Sequence, residues 1–209
     1  MLMGLLNLLT KDPLAFASIV IPLLYSIVIH EVAHGWVANR MGDPTAKWMG
    51  RLTLNPIKHL DLFGTLMLFV VGFGWAKPVP VNFNNIRDRR KGLIFVSSAG
   101  IVSNILIAFI ALLFFRLFSL PSSGMSAILV FYLVQINITL AALNLIPIPP
   151  LDGSKILMGI APDTVRYGFA RIEPYGFIII LGLFYLGILD PVIGFLRWVI
   201  VALIRVLLP

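Results

Sequence analysis

The chain has 209 residues, of which 59% are hydrophobic and only 12% are charged, and its formal net charge is +7 at pH 7. Its mean hydropathy of +0.99 excludes an ordinary soluble domain, which would expose far more charge at this size. The absence of cysteine excludes disulfides and thiolate metal sites, so any metal must bind histidine and carboxylate side chains.

The positive charge is arranged as membrane topology predicts, and not as nucleic-acid binding requires. Twelve of the sixteen basic residues fall in three segments between apolar runs, residues 40–58, 77–91 and 155–171. Basic loops stay on the cytoplasmic side of a membrane. We therefore expect a multi-pass protein of the cell membrane that contacts lipid and binds no nucleic acid.

The N-terminal region predicts a short lead-in and one long helix. Residues 1–10 are apolar but too few to span a bilayer, which favours an interfacial segment. Asp12 and Pro13 are typical of a helix start, so the first span should run from there to about Arg40 with a kink at Pro22.

This helix carries His30, Glu31 and His34 directly after an uncharged run. A helix places positions i and i+4 on one face, so the two imidazoles can bind one metal ion with Glu31 beside it. Simple packing of polar residues in a bundle is the alternative, but it would leave buried imidazoles and a carboxylate unsatisfied. The motif therefore predicts zinc-dependent hydrolysis within a bilayer.

The position of the motif along the helix also predicts its depth. At a rise of 1.5 Å per residue, His30 lies about 24 Å from the outer end of the helix and roughly 15 Å from Arg40. We expect the site in the cytoplasmic half of the membrane.

A small structure at the cytoplasmic side is predicted next. Residues 41–61 form a polar loop, and the apolar residues 62–73 are too few to span, which suits a re-entrant or interfacial element. Residues 72–81 alternate proline with valine after two glycines, which predicts extended chain with an exposed edge. Such an edge could hold an unwound substrate by main-chain hydrogen bonds, whereas a simple connecting loop is the alternative.

The second and third spans are predicted at residues 92–117 and 125–143. The third runs directly into Asn144 and a segment with three prolines, which must break the helix before Asp152. Broken backbone at membrane depth is tolerated only where protein or a watery cavity satisfies it.

The C-terminal region predicts two further spans, or one span and an interfacial helix, at residues 174–189 and 191–208. Arg197 and Arg205 make the last of these less apolar.

The predicted fold class is an all-α polytopic membrane protein. We expect a bundle of about five to six membrane segments with one broken helix and a small β or re-entrant element at the cytoplasmic side. A single domain should cover residues 1–209, with the catalytic core at about 14–160 and accessory helices at about 174–208.

A third metal ligand is needed, because a zinc hydrolase uses three protein ligands and one open position for water. The remaining histidine is His59, and most acids outside the motif lie in evident loops, next to bases or at helix starts. Asp152 differs, because it follows the proline-broken segment that leaves a membrane span. Its alternative role is to cap the start of the next helix.

Two motifs resemble those of the site-2 proteases, a family of intramembrane zinc metalloproteases. Residues 30–34 (HEVAH) match the metal-binding motif, and residues 144–153 (NLIPIPPLDG) match the distal Asn…Leu-Asp-Gly segment. The resemblance covers nearly the whole chain and is to the small branch without a PDZ domain. It implies one zinc ion per chain, bound by His30, His34 and Asp152, with Glu31 as catalytic base and Asn144 beside the substrate carbonyl.

The chemistry of these residue types agrees with the implied roles. Glu31 can accept a proton from a zinc-activated water and pass it to the departing amine. Asn144 can donate a hydrogen bond to the developing oxyanion or hold the substrate backbone. Its alternative role is to cap backbone groups that the prolines leave free.

Two weaker resemblances concern loops and packing. Residues 98–104 are similar to the family's Ala-Gly-Pro-x-x-Asn segment, with isoleucine in place of the proline, so Gly100 should permit close helix packing and Asn104 should reach towards the site. Residues 55–59 resemble a loop motif of the same branch, in which His59 is expected to be an ordinary loop histidine.

We therefore predict an intramembrane zinc endopeptidase that cuts transmembrane segments of substrate proteins, as in regulated intramembrane proteolysis. One alternative is a metal-binding membrane transporter, which would need more polar residues in the outer half of the membrane than the chain offers. Another is a catalytically inactive protein that binds membrane helices, although zinc binding alone would not require Glu31.

Overall fold

The computed structural model describes residues 4–71, 74–121 and 123–208. These residues form ten α-helices, with short 3-10 turns at Pro56–Lys58 and Glu173–Tyr175. In chain order the α-helices are α1 (Gly4–Lys11), α2 (Pro13–Arg40), α3 (Thr45–Trp48), α4 (Leu62–Val71), α5 (Arg89–Leu117), α6 (Met125–Leu145), α7 (Asp152–Ile160), α8 (Asp163–Ile172), α9 (Gly176–Tyr185) and α10 (Leu189–Leu207).

Four stretches of helix in the described residues are long and apolar enough to cross a membrane. Three of them, α2, α5 and α6, lie close to the predicted spans, and Asp12 caps the start of α2 by accepting a hydrogen bond from the backbone of Ala15 at 2.9 Å. The fourth, Asp163–Tyr185, begins earlier than predicted, because α8 continues through a 3-10 turn into α9. The all-helical fold is confirmed with four candidate spans, and a count of five to six stays a prediction.

The fifth long helix, α10, is not among the candidate spans. It has 19 residues and carries Asp190, Arg197 and Arg205. Its buried Ile200 and Ile204 nevertheless pack into the main apolar cluster together with α5 and α6. Arg197 donates a hydrogen bond to Gln135 of α6, which gives this cation a polar partner at the helix contact.

Helix α5 lies at the centre of the bundle, where it packs against α2, α6 and α7. Its contact with α6 is lined by buried small residues, Ala108 and Ala111 on α5 and Ala141 and Ala142 on α6. Small side chains let membrane helices approach closely without a strong hydrophobic driving force between them. The two helices that carry the predicted metal ligands, α2 and α7, are therefore held against one shared helix.

The third span is broken between α6 and α7, at the three prolines. Pro147 has no N–H for the carbonyl of Leu143, and the N–H of Ile146 serves that carbonyl instead at 3.1 Å. Gly153 then packs so tightly on the end of α6 that a Cβ there would come within 2.3 Å of the Leu145 carbonyl oxygen. Glycine at this position allows the first turn of α7 to return to the bundle.

The predicted β element is not confirmed. The described residues contain one isolated antiparallel bridge, between Leu60 and Ala76, and no strand. Pro78 and Pro80 lack the N–H groups that would extend this bridge into a ladder. Residues 72–73 of the predicted element lie outside the described residues, and the re-entrant character of α4, which has ten residues, stays a prediction.

Asp43 fastens the loop after α2 to the chain that precedes α5. Its side chain is fully buried and accepts hydrogen bonds from Thr45, from the backbone N–H of Asn82 at 2.6 Å and from Nδ2 of Asn85 at 2.8 Å. Burial by itself raises the pKa of this carboxyl, but the hydrogen bonds outweigh burial and hold its pKa below the ordinary value.

Replacing Asp43 with alanine should lower the free energy of unfolding by about 1–3 kcal/mol, because the buried donors lose their acceptor. Since the folded-state pKa is lowered, the stabilisation by Asp43 is complete above the ordinary carboxyl pKa of about 4 and is lost as the pH falls towards the folded-state value. The stability difference between wild type and Asp43→Asn, measured by thermal unfolding in detergent, should therefore shrink on acidification below about pH 4. A difference that is independent of pH would contradict the assignment.

Candidate metal centre

His30, His34 and Asp152 meet inside the bundle, although more than a hundred residues separate the pair from the carboxylate in sequence. The two Nε2 atoms lie 3.0 Å apart, and each lies 3.2 Å from Oδ2 of Asp152. The three residues are 7%, 8% and 7% exposed. In the part of the chain that the structure describes, this is the one group of histidine and acidic side chains whose atoms converge as metal ligands do.

The ring of His34 is oriented by a backbone carbonyl. Its Nδ1 lies 2.7 Å from the carbonyl oxygen of Val96 on α5. A carbonyl only accepts hydrogen bonds, so Nδ1 of His34 must carry the proton. In the neutral ring, the Nε2 lone pair then points at the other two ligand atoms.

The ring of His30 is oriented by a chain of amide hydrogen bonds between helices. Asn137 donates from Nδ2 to the carbonyl of Leu133 at 2.8 Å and to Oγ of Ser26 at 2.7 Å. Its oxygen therefore accepts from Nδ2 of Asn104 at 2.8 Å, which leaves the Asn104 oxygen facing Nδ1 of His30 at 2.6 Å. Because the chain starts at a carbonyl, both amide orientations are fixed, and Nδ1 of His30 is the protonated nitrogen.

The residues fit a zinc ion. With both Nδ1 protons engaged and both rings neutral, three acceptor atoms face one another with no proton to share, and the buried Oδ2 of Asp152 has no hydrogen-bond partner among the described residues despite its closeness to both rings. A bound cation relieves this repulsion, whereas three facing lone pairs in an apolar interior would be costly. Two imidazole nitrogens and one carboxylate oxygen are a donor set of catalytic zinc sites, which keep a fourth position open.

A cavity of about 320 Å³ is lined in part by His30, His34 and Asp152. Glu31 and the half-buried Lys155 line it, together with Asn144 on the wall formed by the end of α6. Oε2 of Glu31 accepts a hydrogen bond from the backbone N–H of Val79 at 2.8 Å. The cavity therefore presents a carboxylate and an amide beside the candidate metal position.

Asn144 and Asp152 do not take the alternative roles considered for them. Asn144 donates from Nδ2 to the carbonyl of Leu140 at 3.0 Å within its own helix, and not to a carbonyl that a proline leaves free. Asp152 is the first residue of α7, whose N-cap is Leu151 with no side-chain hydrogen bond. The Asp152 carboxylate is instead turned towards the imidazoles.

Gly100 of α5 lies against both imidazoles. A Cβ at this position would come within 2.5 Å of His30 Cε1 and of His34 Nε2. The close packing expected for Gly100 is therefore directed at two of the candidate metal ligands. Asn104, one turn later on the same helix, is fully buried and reaches His30 as expected.

Sequence reasoning missed the roles of Ser26 and Asn137. The available signal was their polarity within apolar spans, and Ser26 also lies one helical turn before His30 on the same face of α2. His59 was expected to be an ordinary loop residue, but its side chain is fully buried, with Nε2 2.9 Å from the carbonyl of Thr53. It does not belong to the metal-binding group.

Comparison with known proteins indicates a family of zinc metalloproteases. The model of Peptidase family M50 matches residues 18–120 and 119–186. YwhC of Bacillus subtilis (strain 168), named as a candidate zinc metalloprotease, is 43% identical over 189 residues, which cover 86% of this chain and 84% of that protein. Rip2 of Mycolicibacterium smegmatis, named in the same way, is 31% identical over 183 residues, which cover 82% of this chain and 70% of Rip2.

A more distant relative is the zinc metalloprotease MJ0392 of Methanocaldococcus jannaschii. It is 24% identical over 161 residues, which cover 77% of this chain and 39% of that protein. No solved structure matches this chain significantly.

Gly100→Ala should abolish zinc binding, because the added methyl group would occupy space that the two imidazoles fill. Zinc content per chain, measured on purified protein by mass spectrometry, tests this. Gly168→Ala is the matched control, since a Cβ there has no neighbour within 4 Å. Equal zinc content in the two variants would contradict the steric argument.

Asn137→Leu should weaken zinc binding by about 10- to 100-fold, because the His30 ring loses the amide chain that fixes its tautomer. Competition with a fluorescent chelator measures this affinity. Thr139→Val serves as control on the same helix, since among the described residues the Thr139 hydroxyl bonds only to the carbonyl of Gln135 one turn earlier. An affinity that matches the control would show that the chain does not orient His30.

Proposed function

Because the chain belongs to peptidase family M50, we propose that this zinc metalloprotease is an intramembrane endopeptidase, which cuts peptide bonds in or near membrane-spanning segments of other proteins. The observation that carries the proposal is the buried ligand group formed by His30, His34 and Asp152 between candidate membrane helices. A cavity with a further carboxylate and an amide borders this group, as peptide hydrolysis requires.

Each residue of the site has a distinct proposed role. His30, His34 and Asp152 hold one zinc ion per chain. Zinc bound there supplies a Lewis acid, which acidifies water and polarises the scissile carbonyl. Glu31 accepts a proton from the attacking water and passes it to the departing amine.

Asn144, on the part of the cavity lining formed by the end of α6, is proposed to assist. Its Nδ2 would leave the carbonyl of Leu140 and donate to the substrate carbonyl oxygen as negative charge develops there, or hold the adjacent substrate backbone. The exchange is inexpensive, because a carbonyl within a helix also receives the backbone N–H four residues later.

The site is proposed to lie in the cytoplasmic half of the bilayer. His30 is ten residues from the end of α2 at Arg40, about 15 Å along the helix. The loops on that side hold most of the basic residues, which favours a cytoplasmic location. We also propose α10 as a fifth membrane segment, since Ile200 and Ile204 pack against the spans α5 and α6.

The arrangement of polar groups within the membrane disfavours a transporter. Ser26, Asn104 and Asn137 bond to one another and to His30, and the chain of bonds ends at a backbone carbonyl. These groups are engaged in orienting a ligand, so they do not line a polar route through the described part of the bundle.

Glu31→Gln should lower the rate of cleavage by about 10²- to 10⁴-fold, because the amide cannot take up the proton. Zinc content should stay near one per chain, since Glu31 is not among the proposed ligands. The measurement is cleavage of purified single-pass membrane proteins in liposomes, with and without a chelator. Glu173→Gln, which removes an exposed carboxylate outside the cavity, is the control.

Three outcomes of this experiment count against the proposal. Undiminished cleavage by Glu31→Gln would exclude it as the base, and cleavage that persists after zinc removal would exclude metal-dependent hydrolysis. A wild-type protein that binds membrane segments and never cuts them would favour the inactive binding protein.

A further inference from the structure

We propose that Arg51 is a positioning residue for proteolysis, which braces residues 76–82 so that the Val79 N–H holds the Glu31 carboxylate in place. This inference rests on the proposed role of Glu31 as the base. Arg51 does not line the cavity, so its action on the reaction is indirect.

The first observation is the contact between Val79 and Glu31. The Val79 N–H donates to Oε2 of Glu31 at 2.8 Å. Val79 lies between Pro78 and Pro80, so its N–H is the one backbone donor of these three residues. The alternation of proline and valine, which disfavours a strand, thus presents a single donor to the base.

The second observation is the state of the Arg51 side chain. It is only 6% exposed, and its terminal nitrogen donates to the carbonyls of Lys77 at 2.8 Å and Pro78 at 3.3 Å. No carboxylate in the described residues forms an ion pair with it, and its Nε has no hydrogen-bond partner. Because it has no ion-pair partner in the described part of the chain, ion pairing does not explain why Arg51 is buried. Burying a cation without an anion is costly, so other contacts must stabilise the side chain in this position. Its contacts are instead with the two carbonyls that immediately precede Val79.

The loop that carries Arg51 also holds residues 76–82 through a hydrogen bond between backbone groups. The N–H of Lys77 donates to the carbonyl of His59 at 2.8 Å, next to the bridge between Leu60 and Ala76. The buried His59 ring in turn contacts the carbonyl of Thr53 at 2.9 Å, which closes the loop on itself. The buried loop histidine therefore stabilises the support of the segment.

The far end of the segment and its packing on α2 complete the support. The N–H of Asn82 donates to Asp43 at 2.6 Å. A Cβ at Gly35, directly after the metal-binding pair, would come within 2.7 Å of side-chain atoms of both Leu52 and Val79. The segment is therefore fixed on both sides of Val79 and lies directly on the helix that carries Glu31.

This support matters for proton transfer because Glu31 is held through one oxygen. A carboxylate fixed at Oε2 cannot turn freely, so its other oxygen keeps one direction relative to the cavity. A misplacement of about 1 Å in a catalytic group can lower a rate by about 100-fold. Loosening residues 76–82 should therefore slow the chemical step and leave substrate binding and metal binding largely intact.

The test compares Arg51→Gln with Arg51→Lys and with Lys58→Gln. Gln removes the cation that bridges two carbonyls, Lys retains a cationic donor for them, and Lys58 is an exposed basic residue of the same loop. We expect Arg51→Gln to lower kcat by about 10- to 100-fold with little change in KM and with zinc near one per chain. Arg51→Lys should recover part of kcat, and Lys58→Gln should match wild type.

A second pair of variants addresses the backbone donor itself. Val79→Pro removes the N–H, whereas Val79→Ala shortens the side chain and keeps the N–H. We expect the proline variant to lose much more kcat than the alanine variant, again with zinc retained. Equal losses in the two variants would overturn the role of the N–H.

The other possible results separate a failure of the Arg51 proposal from a failure of the proposed function. Wild-type kcat in Arg51→Gln, or loss of zinc or of the folded state in step with kcat, would overturn positioning by Arg51. If wild type cuts its substrate and Glu31→Gln does not, the proposed function stands even when the Arg51 variants refute this inference. If wild type does not cut, or cuts without zinc, the proposed function fails and this inference fails with it.

Discussion

The structure depends on the convergence of three acceptor atoms in an apolar interior. Two imidazoles whose Nδ1 protons are engaged elsewhere must turn their lone pairs inwards, and the carboxylate of Asp152 meets them there. With neutral rings and no cation this arrangement is repulsive, so it favours the binding of a metal ion at this point of the fold. The proteolytic chemistry proposed for Glu31 requires the same ion in the same position.

Bringing the carboxylate to the imidazoles is mainly a problem of packing. Two of the candidate ligands lie on α2 and the third begins α7, after the break that follows α6. Helices α2, α6 and α7 all pack against α5. Gly100 gives the imidazoles the space that a side chain would fill, and Gly153 lets α7 approach the end of α6. Two glycines on different elements thus set the size of the metal site.

The parts of the site that were predictable from sequence are those governed by local spacing. The i, i+4 relation placed His30 and His34 on one face of one helix, and the proline-broken segment marked Asp152 as an unusual acid. The same regularity of apolar runs located α2, α5 and α6 closely. The start of the Asp163–Tyr185 stretch was missed, because the charges of α8 conceal a helix that becomes apolar only after its 3-10 turn.

The parts that were not predictable depend on how helices are rotated against one another. Asn104 contacts Asn137, and Val79 contacts Glu31. These residues are far apart in sequence, so no helical or strand periodicity relates them. The extended edge expected in residues 72–81 is not confirmed: the described residues 74–81 contain one isolated bridge and no ladder, because their prolines lack the donors that pairing requires. Those same prolines explain why a single N–H is available to Glu31.

The partners of the imidazoles are an amide and a backbone carbonyl, both without formal charge. The assembly of a divalent ion, its three ligands and Glu31 therefore has formal charges that sum to zero, and Lys155 is a further cation in the lining of the cavity. A third carboxylate behind either ring would leave the assembly anionic in surroundings of low dielectric constant, where net charge is expensive. Uncharged supports thus leave the ion, its ligands and the base without net charge, which lowers the cost of placing such a group within a bilayer.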